Sequence, residues 1–203
     1  MRAALIAAIM FVTAPAVAQT VPLPAKIDAP SGHYELDPAH ASVLWRIKHM
    51  GLEEYTAKFA KIAGTVDYDA GDPTKSKLDV TIDANSVHTD FPYADKKDFD
   101  AEIRGFLSAA KNPKIHFVSR SIVKTGPNHG IVTGDLTLNG ITKTANLNAT
   151  WDGAILMPFP PHPPVFGISA TGLIDRTAYG VTAMAPMIGE MVEIRIEAEF
   201  DKK

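Results

Sequence analysis

The stretch Val192-Glu193-Ile194-Arg195-Ile196-Glu197-Ala198-Glu199-Phe200 decides the fold class. Val192, Ile194, Ile196, Ala198 and Phe200 are apolar, and a charged residue fills every position between them. A period of two puts the five apolar side chains on one face of a strand, whereas a helix would scatter them around its circumference. The same alternation recurs upstream. Val43, Trp45 and Ile47 alternate with Ser42, Arg46 and Lys48; Val132, Gly134, Leu136 and Leu138 alternate with Thr133, Asp135 and Thr137. Ala145, Leu147, Ala149 and Trp151 alternate with Asn146, Asn148 and Thr150.

Turn signals separate these runs. Asn139-Gly140, between two alternating segments, is the strongest short hairpin signal in the chain. Ala70-Gly71-Asp72-Pro73 and Gly126-Pro127-Asn128 mark two more turns. Strands are expected at 32–37, 42–49, 56–69, 77–87, 114–124, 130–139, 141–152, 166–177 and 190–200. Many antiparallel strands joined by short turns make a sandwich or a barrel. Asp95 to Lys111 breaks the pattern: Phe99, Ile103, Phe106 and Leu107 stand at helical spacing before Asn112-Pro113, so one or two short helices are expected there. Met157 to Val165 holds too many prolines for a central strand and reads as an extended surface loop.

The chain has 203 residues, enough for one sizeable core, and no cysteine, so disulfides, thiol nucleophiles and cysteine metal sites are excluded. Its formal net charge of -3 lacks the basic excess that duplex nucleic acid demands. Arg2, the apolar run Ala3 to Val12 and the small residues Ala16-Val17-Ala18 read as a signal peptide cleaved after Ala18. The expected organisation is a signal peptide (1–18), a proline-containing, extended and mobile leader (19–31) and one β domain (32–203). No later run is long enough to span a bilayer.

Chemistry-bearing motifs are few. There is no G-x-S-x-G elbow, no Walker loop and no G-x-G-x-x-G. His33, His88, His116, His129 and His162 stand at no ligand spacing, which argues against metal or haem binding. Asp79 and Asp83 flank Val80 and Ile82 on the wet face of one strand, where a solvated surface explains them. By parity His49 shares the face of Val43, Trp45 and Ile47, near a strand end, and is a candidate polar anchor. Trp45, Ile47, Val66, Val80, Ile82, Phe117, Leu136, Leu138, Leu147, Ile168, Ile174, Ile194 and Ile196 are expected to line one interior. Packed core and lipid tunnel give the same periodicity, so the pattern leaves both open.

Several motifs then resemble the YceI-like family. They are Tyr34-Glu35-Leu36-Asp37-Pro38-Ala39-His40-Ala41-Ser42 followed by His49, Phe59 with Gly64-Thr65-Val66-Asp67-Tyr68-Asp69, and Phe106-Leu107 leading to Pro113-Lys114-Ile115-His116-Phe117-Val118-Ser119. Gly134 to Lys143, Asp175-Arg176-Thr177-Ala178-Tyr179-Gly180 and Ile188-Gly189-Glu190-Met191-Val192 complete the series in order. The chain departs from the family's pattern at Ala57, where glycine is usual, and at Glu102-Ile103, where a His-Leu pair is usual. The resemblance implies a lipocalin-like antiparallel up-and-down barrel of about eight strands with a short helical insertion. It implies a non-enzymatic periplasmic protein that binds a polyisoprenoid or other long-chain amphiphile in its lumen, with homodimers a natural form. On that reading the ligand is contacted by Trp45, Ile47, His49, Ile82, Phe106, Leu107, Phe117, Leu136, Leu138, Ile168 and Ile194. No cofactor beyond the lipid itself is expected. The competing expectations are an accessory to membrane electron transport, haem or quinone linked, and a stress-response partner with a filled barrel.

Overall fold

The computed structural model describes residues 23–93 and 95–203. The expected signal peptide and the first part of the leader lie outside the described residues. The elements are β1 (Lys26–Ile27), β2 (Gly32–His49), β3 (Glu53–Phe59), β4 (Ile62–Tyr68), β5 (Lys77–Asp83), β6 (Val87–His88), α1 (Phe99–Phe106), β7 (Lys114–Lys124), β8 (His129–Leu138), β9 (Ile141–Leu156), β10 (Pro164–Asp175) and β11 (Ile188–Lys202). The strands pair antiparallel around a closed eight-stranded barrel in the order β2-β4-β5-β7-β8-β9-β10-β11, and β11 returns to β2. β3 continues the place of β4 along the second half of β2. The barrel reading is thus correct, and closure leaves no long unpaired edge.

Three strand assignments differ in kind from the sequence reading, each for a local reason, while other strand ends shift by up to four residues and β10 takes in Pro164 and Val165 from the expected surface loop. The runs 32–37 and 42–49 are one strand, β2, interrupted by a bulge. Leu36 pairs with Phe200 and Ala41 with Ala198, so Asp37-Pro38-Ala39-His40 all stand opposite Glu199. Pro38 can give the ladder no N–H, and the Asp37 carboxylate accepts from Ala39 N at 2.8 Å and contacts His40 Nδ1 at 2.6 Å. The bulge reverses parity: Tyr34 and Leu36 are buried before it, Val43, Trp45 and Ile47 after it. The expected strand 56–69 is split into β3 and β4 at Ala60-Lys61, whose N–H groups donate to Ser86 O and Ser86 Oγ, both at 3.0 Å. The expected strand 77–87 ends at Asp83, whose carboxylate accepts from Asn85 N and starts a single 3₁₀ turn before β6. The insertion before β7 holds one α-helix, α1.

The leader is anchored where it meets the barrel. Lys26 and Ile27 pair with Ile155 and Ala154 on β9, Ala29 is buried, and the Tyr34 hydroxyl donates to Pro30 O at 2.7 Å. The mobile leader expected there is therefore corrected from Lys26 onward. Asn139 and Gly140, with φ of 51° and 75°, form the two-residue turn from Leu138 to Ile141 that their sequence announces.

Gly134 faces inward on β8 for a steric reason. A Cβ there would lie 2.4 Å from Val118 O and 2.5 Å from Phe117 Cζ. The missing side chain is the space that the Phe117 ring occupies, and Phe117 is itself buried. A Gly134→Val substitution is expected to destabilise the barrel by about 2–3 kcal/mol through overpacking, read as a lower urea midpoint at unchanged m-value.

Candidate ligand cavity

The period-two face of the barrel encloses a cavity of about 920 Å³. All thirteen residues expected on the interior line it, from Trp45 and Ile47 on β2 round to Ile194 and Ile196 on β11. The eleven residues singled out for ligand contact are brought together on the same cavity, including His49 at its rim and Phe106 and Leu107 from the helical insertion. The space exists because much of the inward face is small. Ala145 and Ala149 on β9, Ala170 on β10 and Ala198 on β11 line the cavity where larger side chains would fill it.

The two ends differ. Leu36 and His49, on either side of the β2 bulge, both line the cavity, so it follows most of that strand. Beside the Leu36 end the barrel is packed with aromatic rings. Phe166 lies 4.6 Å from Tyr34, 4.9 Å from Trp151 and 5.3 Å from Phe200, centroid to centroid, and Tyr34 and Phe166 are almost wholly buried. Each such pair adds about 0.5–1.5 kcal/mol beyond its buried area. Lys124, Asn128 and His129, from the β7–β8 hairpin, line the cavity at this end. At the other end the lining includes His49, Glu53, Lys97, Glu102, Arg176 and Met184. Among the described residues, no group hydrogen-bonds the His49 ring. Lys97 and Glu102 form an ion pair.

Helix α1 covers this second end. Phe99, Ile103, Phe106 and Leu107 reach the cavity, while none of the helix residues is fully buried. Asp98 caps it, accepting from Ala101 N at 2.8 Å, and binds Arg104 Nη2 at 3.2 Å. Asp100 ties the helix to the barrel: its carboxylate accepts from Thr89 N at 2.9 Å, from Thr89 Oγ1 and from His88 Nδ1 at 3.3 Å. Burial alone would raise the Asp100 carboxyl, but the hydrogen bonds from Thr89 and His88 outweigh it and hold the group below the ordinary carboxylate range.

Arg176 closes the opposite side of the same end. It is buried, with no carboxylate within salt-bridge distance among the described residues, and four backbone carbonyls satisfy it: Gly189 O at 2.8 Å, Val181 O at 2.7 Å, Ala183 O at 2.9 Å and Ile188 O at 2.8 Å. Burial disfavours its charge and lowers its pKa. This one side chain therefore ties the segment 181–187, which precedes β11 and lies outside the strands, to the start of β11. Trp45 carries a second unusual feature, a buried indole N–H with no acceptor among the described residues. A buried donor left unpaired costs about 1–3 kcal/mol.

Sequence reasoning missed Tyr55, Lys97, Glu102, Arg176 and Met184 as cavity residues. Tyr55 shares parity with Ala57 and Phe59, and Arg176 with Ile174 in the expected strand 166–177, so both were legible by that rule; Met184 sits outside the strands, where parity says nothing. Asp79 and Asp83 do separate structural work, Asp79 binding His116 Nε2 at 2.8 Å on the outer wall. Among the described residues, no three His, Cys, Asp or Glu side chains are grouped to hold a metal ion, and no helix is long and apolar enough to cross a membrane.

A closed barrel around an apolar lumen, with a helix over one end, defines a lipocalin-like barrel protein. The chain belongs to the YceI-like family: the description "YceI-like domain" matches residues 34–200. Protein YceI of Salmonella arizonae is 35% identical over 173 residues, spanning 84% of this chain and 87% of that one. The crystal structure of the Campylobacter jejuni YCEI protein is 26% identical, with a TM-score of 0.66 over 77% of this chain and 90% of that one. A polyisoprenoid binding domain from Saccharophagus degradans, implicated in plant cell wall breakdown, shares the fold at 15% identity, with a TM-score of 0.58 over 86% of this chain and 100% of that one.

The Asp100 contact gives the helix a pH dependence of known sign. A carboxylate depressed in the folded state stabilises above its unfolded value, near pH 4, and that stabilisation is lost as pH falls through the lowered value. Protection factors of residues 99–107, taken relative to the intrinsic exchange rate at each pH, are expected to fall below about pH 4 before those of the strands do, and Asp100→Asn should show the low protection already at pH 7.

Proposed function

We propose that this protein binds a long-chain amphiphilic lipid, a polyisoprenoid or an acyl chain, inside its barrel and serves as a carrier or reservoir in the periplasm, without catalysing a reaction. The observation that carries the reading is the apolar cavity of about 920 Å³ along the barrel. Family membership and the fold shared with a domain described as polyisoprenoid binding support it. A homodimer is part of the same proposal. Burying hydrocarbon in such a lumen is favourable by about 0.8 kcal/mol per methylene, so a chain of some twenty carbons supplies on the order of 10 kcal/mol before association costs. Chain length then sets affinity, and the few polar groups at the α1 end set the choice of headgroup. The Trp45 N–H is suited to meet a ligand acceptor.

Mass spectrometry of protein purified from the periplasm without detergent, compared with its organic-solvent extract, should find a stoichiometric prenyl or acyl species. A ligand-free mass together with failure of a fluorescent long-chain probe to bind would defeat the reading. Ala149→Phe should place a ring in the lumen, lowering probe affinity at least tenfold with the Tm within a few degrees of the parent. For His49→Ala, the ratio of affinities for a fatty acid and its matching alcohol is expected to shift while chain-length dependence stays; an unchanged ratio would remove His49 from the headgroup site.

A further inference from the structure

The α1 end of the barrel carries an apolar rim on its outer surface. Met50 and Leu52, in the turn between β2 and β3, are 53% and 81% exposed, and Met184 and Met187, in the segment before β11, are 48% and 53% exposed. The two segments are joined. Met50 N donates to Met187 O at 2.8 Å, Ile188 pairs with His49, and Ile188 N donates to Met184 O at 2.9 Å. Across the helical side of the same end stands Tyr93, 55% exposed, with Lys96 Nζ 5.1 Å from its ring centre. Three of the five methionines among the described residues thus belong to one rim. Met184 also lines the cavity, so the exposed apolar surface runs without a break into the lumen. At the opposite end Leu156 and Phe159 are exposed as well, but neither lines the cavity.

We propose that this rim docks the protein on a lipid bilayer, mouth against the membrane, so that a lipid passes between bilayer and lumen without crossing water. The proposal rests on the lipid-binding reading above. Exposed apolar side chains grouped around an apolar opening mark interaction surfaces, and unbranched methionine side chains adapt to a partner without fixed shape. Tyrosine beside lysine is the pairing that settles at the headgroup level, with leucine and methionine below it. A second copy seated on the rim would seal the mouth, whereas a bilayer offers the cargo a solvent continuous with the lumen.

The test is transfer of a pyrene-labelled long-chain fatty acid from the protein to vesicles of phosphatidylethanolamine and phosphatidylglycerol, followed by stopped flow. Probe affinity is measured first; a wild type that binds no probe defeats the lipid reading and this proposal with it. With binding intact, the transfer rate of the wild type should rise in proportion to vesicle concentration. In Leu52→Ser/Met187→Ser, neither of whose side chains lines the cavity, the rate should fall at least tenfold and become independent of vesicles, at unchanged probe affinity. Met187→Leu, which keeps the apolar surface, should transfer like the wild type. Vesicle-independent transfer by the wild type, or an unchanged double variant, would overturn docking while leaving lipid binding standing. So would a dimer that the double variant abolishes with transfer unaffected.

Discussion

The pairing of β11 with β2 is the constraint on which the rest of the molecule depends. It runs from Lys202 opposite Tyr34 to Ile188 opposite His49 and turns a meander into a barrel. Closure satisfies the backbone of both edge strands, and it also commits every second side chain to an enclosed volume. That volume must be filled by side chains or by something else. In this chain the filling is uneven. Tyr34, Phe166, Phe200, Tyr68 and Trp151 crowd one region, while alanines on β9 and β10 leave the remainder open.

The bulge at Asp37–His40 makes this division possible. It lets β2 change its inward parity and also its partner, pairing with β4 before the bulge and β3 after it. A strand without the bulge would turn Tyr34 and Leu36 outward or Trp45 and Ile47 outward, and one of the two buried clusters would be lost. The barrel's closed and open regions are thus two consequences of one irregularity.

The α1 end of the lumen is built from weaker material than its wall. The wall is ladder and packed side chains. The α1 end is a short helix with no fully buried residue, tied by the Asp100 carboxylate, and a loop held by the carbonyls around one guanidinium. Elements of this kind open at low free energy while the strands stay protected. Rigid wall and yielding mouth are the combination that a buried lipid needs in order to enter and leave.

The alternation of residues 192–200, the Asn139-Gly140 turn and the run of motifs from Tyr34 to Val192 made the all-β fold, the family and the inward face legible from the amino-acid order alone. Side-chain parity is a local property, so the order of residues carries it directly. Nine of the eleven proposed ligand contacts, those on strands, fall on the cavity for that reason; Phe106 and Leu107 reach it from the helical insertion. Tertiary structure alone decided whether the inward face encloses a core or a lumen, since that depends on which small residues from different strands meet across the barrel. It alone placed Arg176, Met184, Lys97 and Glu102 at one mouth, because they meet there from segments far apart in sequence. It also tied Lys26 and Ile27 to β9 through backbone hydrogen bonds, which have no side-chain signature to read.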